Sequence, residues 1–142
     1  MNILIGVLTM IVCLLLQAVL ANLAILYYGR HRASLSDATA MGSLAVVVGV
    51  MVLLLAGIFA QIAIWAGLFQ MLGEFERFAD AFYHSAVNFA TLGYGDIVMS
   101  PAHRLLGPLQ AVNGVLMIGV ATAVLMATLQ DVMRKRLDLP EQ

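Results

Sequence analysis

The sequence predicts an all-α membrane protein: three transmembrane helices, plus a shorter helix that enters the bilayer and turns back without crossing it. Composition is the first reason. Hydrophobic residues make up 63% of the 142 positions and charged residues 11%, with a mean hydropathy of +0.99, which is far too apolar for a soluble domain. The second reason is that residues 1–29, 44–72 and 105–130 carry no charged side chain. Each run exceeds the roughly 20 apolar residues needed to cross a hydrocarbon core about 30 Å thick. Third, the aromatic stretch 78–90 between the second and third runs is too short to span, and it leads into Thr91-Leu92-Gly93-Tyr94-Gly95-Asp96, where glycines alternate with larger residues.

The same composition excludes several functions. The formal net charge is -1, so no nucleic-acid footprint is present. The single cysteine, Cys13, lies inside an apolar run and reads as a packed thiol, neither a bridge nor a metal ligand. No zinc-type spacing, phosphate loop or nucleophile elbow occurs, and no constellation of nucleophile, base and metal is available, so the chain does not read as an enzyme.

Residues 1–29 form the N-terminal transmembrane helix. A signal peptide is the competing reading, but the run lacks a basic n-region, is too long for an h-region and precedes no clear cleavage site. Gln17 and Asn22 are expected to bond between helices or to tolerate exposure. Tyr27 and Tyr28 are expected to anchor at the membrane interface. Residues 30–43 form a polar loop holding Arg30, His31 and Arg32, with helix caps offered between Ser34 and Asp37. The outer helix, 44–72, has small residues such as Gly49 and Gly57 where helices could approach closely, and Trp65 near its far end is expected at headgroup level.

Glu74, Glu76 and Asp80 precede or open the short helix 78–90, where acids suit a helix start and could also recruit cations. A re-entrant segment of this kind is tolerated at membrane depth only when protein or a water cavity surrounds it. Beyond the hexapeptide 91–96, Ile97 to Arg104 returns to the surface and the inner helix follows over 105–133, with Pro108 in its first turn. Gly107, Gly114 and Gly119 each read as a packing site or a bending point. Arg134-Lys135-Arg136 closes that helix, leaving the short tail 137–142. The 29–42 loop and the C-terminal end hold five of the Lys and Arg residues, against Arg77 and Arg104 on the hexapeptide side. The positive-inside rule then puts the N-terminus outside, the 30–43 loop and the C-terminus in the cytoplasm, and the hexapeptide outside.

Gly93 and Gly95 can adopt positive φ at little cost, which lets successive carbonyls point the same way and form a cation site. A bare G-Y-G would equally suit a tight turn. Placed between two spans and behind Phe78-Ala-Asp-Ala-Phe-Tyr83, the run T-x-G-Y-G-D resembles the potassium channel pore family, whose carbonyl-lined filter is a standard case of ion selectivity. The resemblance covers 44–136 in architecture and is specific within 78–96, and the first helix has no counterpart in the minimal two-helix pore.

That resemblance implies a pore domain assembled around a fourfold axis as a homotetramer in the lipid bilayer of the plasma or inner membrane. It would conduct K+ passively, with no cofactor beyond the permeant ion. By position, Thr91 would contribute its hydroxyl and carbonyl, Leu92, Gly93 and Tyr94 their carbonyls, and Gly95 the outward turn, with K+ held at Thr91, Leu92, Gly93 and Tyr94. Tyr94 would pack behind the filter against Tyr83, and Tyr83, His84 and Asp96 would support it. Gly114 matches the inner-helix glycine at which relatives bend, while close packing is the alternative there; Val115, Ile118 and Thr122 would line the cavity.

Three positions depart from the family. Ala90 replaces a second threonine, Leu92 replaces valine or isoleucine, and His84 stands where many relatives carry a tryptophan bonded to the filter aspartate. A His84 to Asp96 hydrogen bond, strengthened by protonation, is the functional expectation, and a histidine merely packed in the pore helix is the other. No span carries the arginines of a voltage sensor. A weakly selective cation channel and a non-conducting subunit that regulates a partner remain alternatives.

Overall fold

In lipid a spanning chain must satisfy its backbone groups internally, so long uncharged runs become helices. The computed structural model, which describes residues 2–32 and 40–136, is helical on this principle, with no strand among the described residues. α1 covers Asn2–Arg32, α2 Ala40–Met71, α3 Phe78–Phe89 and α4 Leu106–Arg136. α1, α2 and α4 are each long and apolar enough to cross a membrane. α1 extends past the expected end at 29, and α2 starts before 44, because a helix already nucleated by its apolar body lets flanking residues continue the turn. The caps expected between Ser34 and Asp37, and the tail 137–142, lie outside the described residues.

α2 and α4 lie side by side, and both α1 and α3 pack against each of them. α1 runs parallel to α4: near one end Asn2 Nδ2 donates to the carbonyl of Ala102, just before α4, and near the other Tyr28 Oη donates to Asp131 Oδ2 at 2.6 Å. The glycines of α2 explain the fit of α1. The Leu20 side chain occupies the place of a side chain at Gly57, and the Tyr27 ring does the same at Gly49. Both sites are therefore close-approach points, as small residues in membrane helices favour. Asn22 is exposed, whereas Gln17 is buried and accepts a hydrogen bond from Gln61 Nε2 at 2.7 Å.

The core forms in layers along the bundle. Ala24, Val50, Leu54 and Ala121 make one layer; Ile62, Phe89 and Met117 join α3 to its neighbours; Cys13, Trp65, Phe69, Met99 and Leu106 close the hexapeptide end. Cys13 is buried, as its setting predicts. Trp65 corrects the expectation of a headgroup anchor, because its side chain is fully buried. It faces Cys13 on α1, so the interior of the three-helix core claims the indole before the interface can.

Candidate functional site

α3 is the element that aims the hexapeptide. Ala81, His84, Ser85, Val87 and Phe89 are its buried residues, a helical spacing that presses one face onto α2 and α4. Asp80 sits in its first turn, where a carboxylate complements the helix dipole, and Arg77 at the N-cap makes no side-chain cap. Ser85 Oγ donates to the Ile62 carbonyl at 2.7 Å, and Gln110 Nε2 donates to the Ser85 carbonyl at 3.1 Å and to Ser85 Oγ, so α3 is held to both neighbours. At the far end of α3, α4 presents Gly114. A Cβ there would lie 2.0 Å from the Phe89 carbonyl oxygen, so the backbones touch. Of the two readings for Gly114, close packing is the one the geometry supplies, and α4 continues through it without a break.

The hexapeptide begins as the cap of α3. Thr91 N–H donates to the Asn88 carbonyl at 2.9 Å and Leu92 N–H to the Val87 carbonyl at 2.9 Å, the paired bonds of a Schellman ending. That motif needs a left-handed residue, usually glycine, and here Thr91 takes it at φ +59°. Gly93 at +59° and Gly95 at +73° follow, so every second residue is left-handed. Nothing crowds either glycine, so the requirement for glycine comes from φ and not from space. Residues 91–96 are all exposed on the single chain, Leu92 at 54% and Tyr94 at 65%.

One expectation about the loop's support is corrected. Asp96 is not bonded to His84; it accepts from Tyr83 Oη at 2.7 Å. The Tyr83 hydroxyl holds the Asp96 carboxyl below the usual carboxylate range. Tyr83 is thereby committed to Asp96, and within a single chain its ring is not stacked on Tyr94. His84 is buried and both its ring nitrogens are occupied: Nδ1 donates to the Ile97 carbonyl at 2.8 Å, and Asn88 Nδ2 donates to Nε2 at 2.8 Å. A carbonyl can only accept, so the ring proton belongs on Nδ1. Phe69 and Phe75 enclose the imidazole, with ring centroids at 5.6 and 5.1 Å. His84 thus braces the residue after Asp96, one step along from the expected contact.

Sequence reasoning missed a further support. Glu74 accepts from Ser100 N–H and from Ser100 Oγ, both at 2.6 Å, and from His103 Nδ1. Its side chain is 6% exposed. Burial works to raise the Glu74 carboxyl, but the bonds from Ser100 and His103 outweigh it and leave the group below its ordinary value. Cation recruitment is a poor description of so committed a carboxylate, and nothing in the local sequence pairs residues 74 and 103. The segment leaving the hexapeptide is therefore fastened at Asp96, Ile97, Ser100 and His103, with Met99 buried in the core between them.

Behind the hexapeptide an open pocket of about 370 Å³ lies between α3 and α4, with His84, Asn88, Thr91 and Gly93 on one side and Gly107 and Ala111 on the other. Farther along α4, Val115 (57% exposed), Ile118 (42%) and Thr122 form an exposed face, and Thr122 Oγ1 donates back to the Ile118 carbonyl at 2.8 Å. Gly119 on the same stretch meets open space, unlike Gly114.

A family model described as "Ion channel" matches residues 47–131, more than half of the chain. The match includes most of α2, all of α3 and the hexapeptide, and most of α4, while α1 falls outside it. No curated protein and no solved structure matches the chain.

Proposed function

This chain belongs to the ion channel family, and from that premise we propose that it is the subunit of a homotetrameric, K+-selective channel whose filter is Thr91 to Gly95. The observation that carries the reading is the left-handed alternation at Thr91, Gly93 and Gly95 on a loop fully exposed at the end of a re-entrant helix. Alternation of this kind turns consecutive peptide oxygens toward one side, where they replace the water around a dehydrated cation. One chain supplies one such strand, so a closed ring of copies is required, and cyclic symmetry provides it.

In that ring the exposed Leu92 and Tyr94 side chains meet neighbouring copies, and Val115, Ile118 and Thr122 face the cavity below the filter. Thr91 supplies a hydroxyl and a carbonyl at the cavity end. The C-terminus of α3 points its partial negative charge toward that cavity and lowers the cost of holding a cation there. Conduction is passive and needs no cofactor. The distribution of Lys and Arg supports an outward-facing filter, with the N-terminus outside and the C-terminus in the cytoplasm.

The test is ion flux in liposomes with K+, Rb+ and Na+, paired with Gly93→Ala. The expected result is K+ and Rb+ flux with Na+ excluded. Alanine at φ +59° costs about 1–2 kcal/mol per copy, roughly 4–8 kcal/mol over four copies, so the variant loses K+ flux while the fold persists. Equal Na+ and K+ flux indicates a weakly selective channel. No flux from intact tetramers indicates a non-conducting subunit.

A further inference from the structure

α1, α2 and α4 turn polar side chains toward one another at full burial behind α3. Cys13 and Gln17 stand one turn apart on α1, Gln61 and Trp65 one turn apart on α2, and Asn113 faces them from α4; all are at most 1% exposed. Only one direct hydrogen bond forms among them, from Gln61 to Gln17. Cys13 lies beside Asn113 and Trp65, but a thiol is a weak acceptor and leaves both without a formed bond.

Among the described residues, six buried polar atoms therefore have no protein partner: Gln17 Nε2, Trp65 Nε1 and Asn113 Nδ2 as donors, and Gln61 Oε1, Asn113 Oδ1 and Gln110 Oε1 as acceptors. Lipid tails cannot serve them, and a buried polar group left unpaired is costly. The balance of donors and acceptors identifies the ligand class. A cation would use the acceptors only and an anion the donors only, whereas water both donates and accepts and settles where two to four polar partners converge.

We infer that this seam binds internal water, which completes a hydrogen-bonded path from α1 through α2 and α4 to the pore-side helix α3. The last link is already in place, since Gln110 donates to Ser85 and Ser85 to the Ile62 carbonyl. α1 is then a positioning element for α3 and not merely an extra anchor, and this holds whether or not the chain conducts.

Trp65 is the sole tryptophan, so the seam carries its own probe. The full chain, reconstituted in nanodiscs with a ¹⁵N-labelled indole, is examined by proton-detected NMR for magnetisation transfer between water and the Trp65 N–H. Transfer is expected, despite complete burial of the ring. Asn113→Leu is the second arm. In a hydrated seam the leucine removes partners from the water and lowers the thermal midpoint by roughly 3–8 °C. In a dry seam it removes two orphaned groups and raises the midpoint. An indole silent to water, or a variant more stable than wild type, overturns the inference; where the variant does not assemble, the wild-type spectrum decides.

Discussion

Thr91 occupies a conformation that β-branched residues avoid, at φ +59°, and it does so at the junction between α3 and the proposed filter. The Schellman bonds would form as readily with glycine, so the threonine is retained at a cost in strain of about 1–2 kcal/mol. That cost points to its hydroxyl. Thr91→Gly is expected to leave the thermal midpoint unchanged or slightly raised, since strain relief is partly offset by about 0.5–1 kcal/mol of added backbone entropy in the unfolded chain. K+ over Na+ selectivity, read from reversal potentials, should fall. A marked loss of stability with selectivity intact would assign the side chain a structural role instead. At the same scale, His84 and Tyr83 exchange the parts that their positions suggest: the phenol reaches the carboxylate, and the imidazole, fixed by Asn88, reaches the next carbonyl.

Among the elements, α4 is held at two places by different means. In its third turn Gly114 rests on the Phe89 carbonyl, which is backbone and has no side chain to give way. Overpacking costs about 1–3 kcal/mol in a core that can adjust and more where it cannot, so Gly114→Ala should lower the thermal midpoint by at least that equivalent. The corresponding change at Gly119, which meets open space, should be mild in stability. Equal effects at the two glycines would remove the packing account. Near its C-terminal end, α4 is held by α1 through Tyr28 and Asp131. A hydrogen bond typically contributes about 0.5–1.5 kcal/mol, so Tyr28→Phe should free that end of α4 and raise open probability in single-channel recordings. Unchanged gating would confine Tyr28 to anchoring α1.

For the whole molecule, the segment after the proposed filter is tied to α3 by Tyr83 and His84 and to the α2–α3 turn by Glu74. Both carboxylates in these ties, Asp96 and Glu74, lie below their ordinary values of 3.8 and 4.5. A depressed carboxylate contributes stability that is complete above its ordinary value and is lost as the pH falls through the lowered one. Thermal midpoints of the reconstituted protein should therefore hold steady from pH 7 to about 5 and drop only below about 4. A loss between pH 7 and 5.5 would show that another group governs the clasp. In the proposed ring any local change at the loop is repeated in every copy, so small strain energies there would add up.

The spans, the re-entrant helix and the alternating loop were legible because each depends on local chemistry: absence of charge over a bilayer's length, too few residues to cross, and glycine where φ must be positive. Gln17 as an interhelical partner, and Gly49 and Gly57 as contact points, could be read for the same reason, since polar and small residues in a membrane helix have few other uses. The partners themselves were not legible. Whether Asp96 meets position 83 or 84 depends on the rotation of α3 against α2 and α4, which Ser85, Gln110 and Gly114 set together. The Glu74 clasp joins residues 29 positions apart, and Trp65 is buried in a cluster that brings Cys13 of α1 together with Met99 and Leu106. Sequence alone determined which segments are long and apolar enough to cross a membrane and where the backbone turns repeatedly to positive φ; the tertiary structure decided what braces that loop, because bracing is a contact between helices whose relative rotation no single stretch encodes.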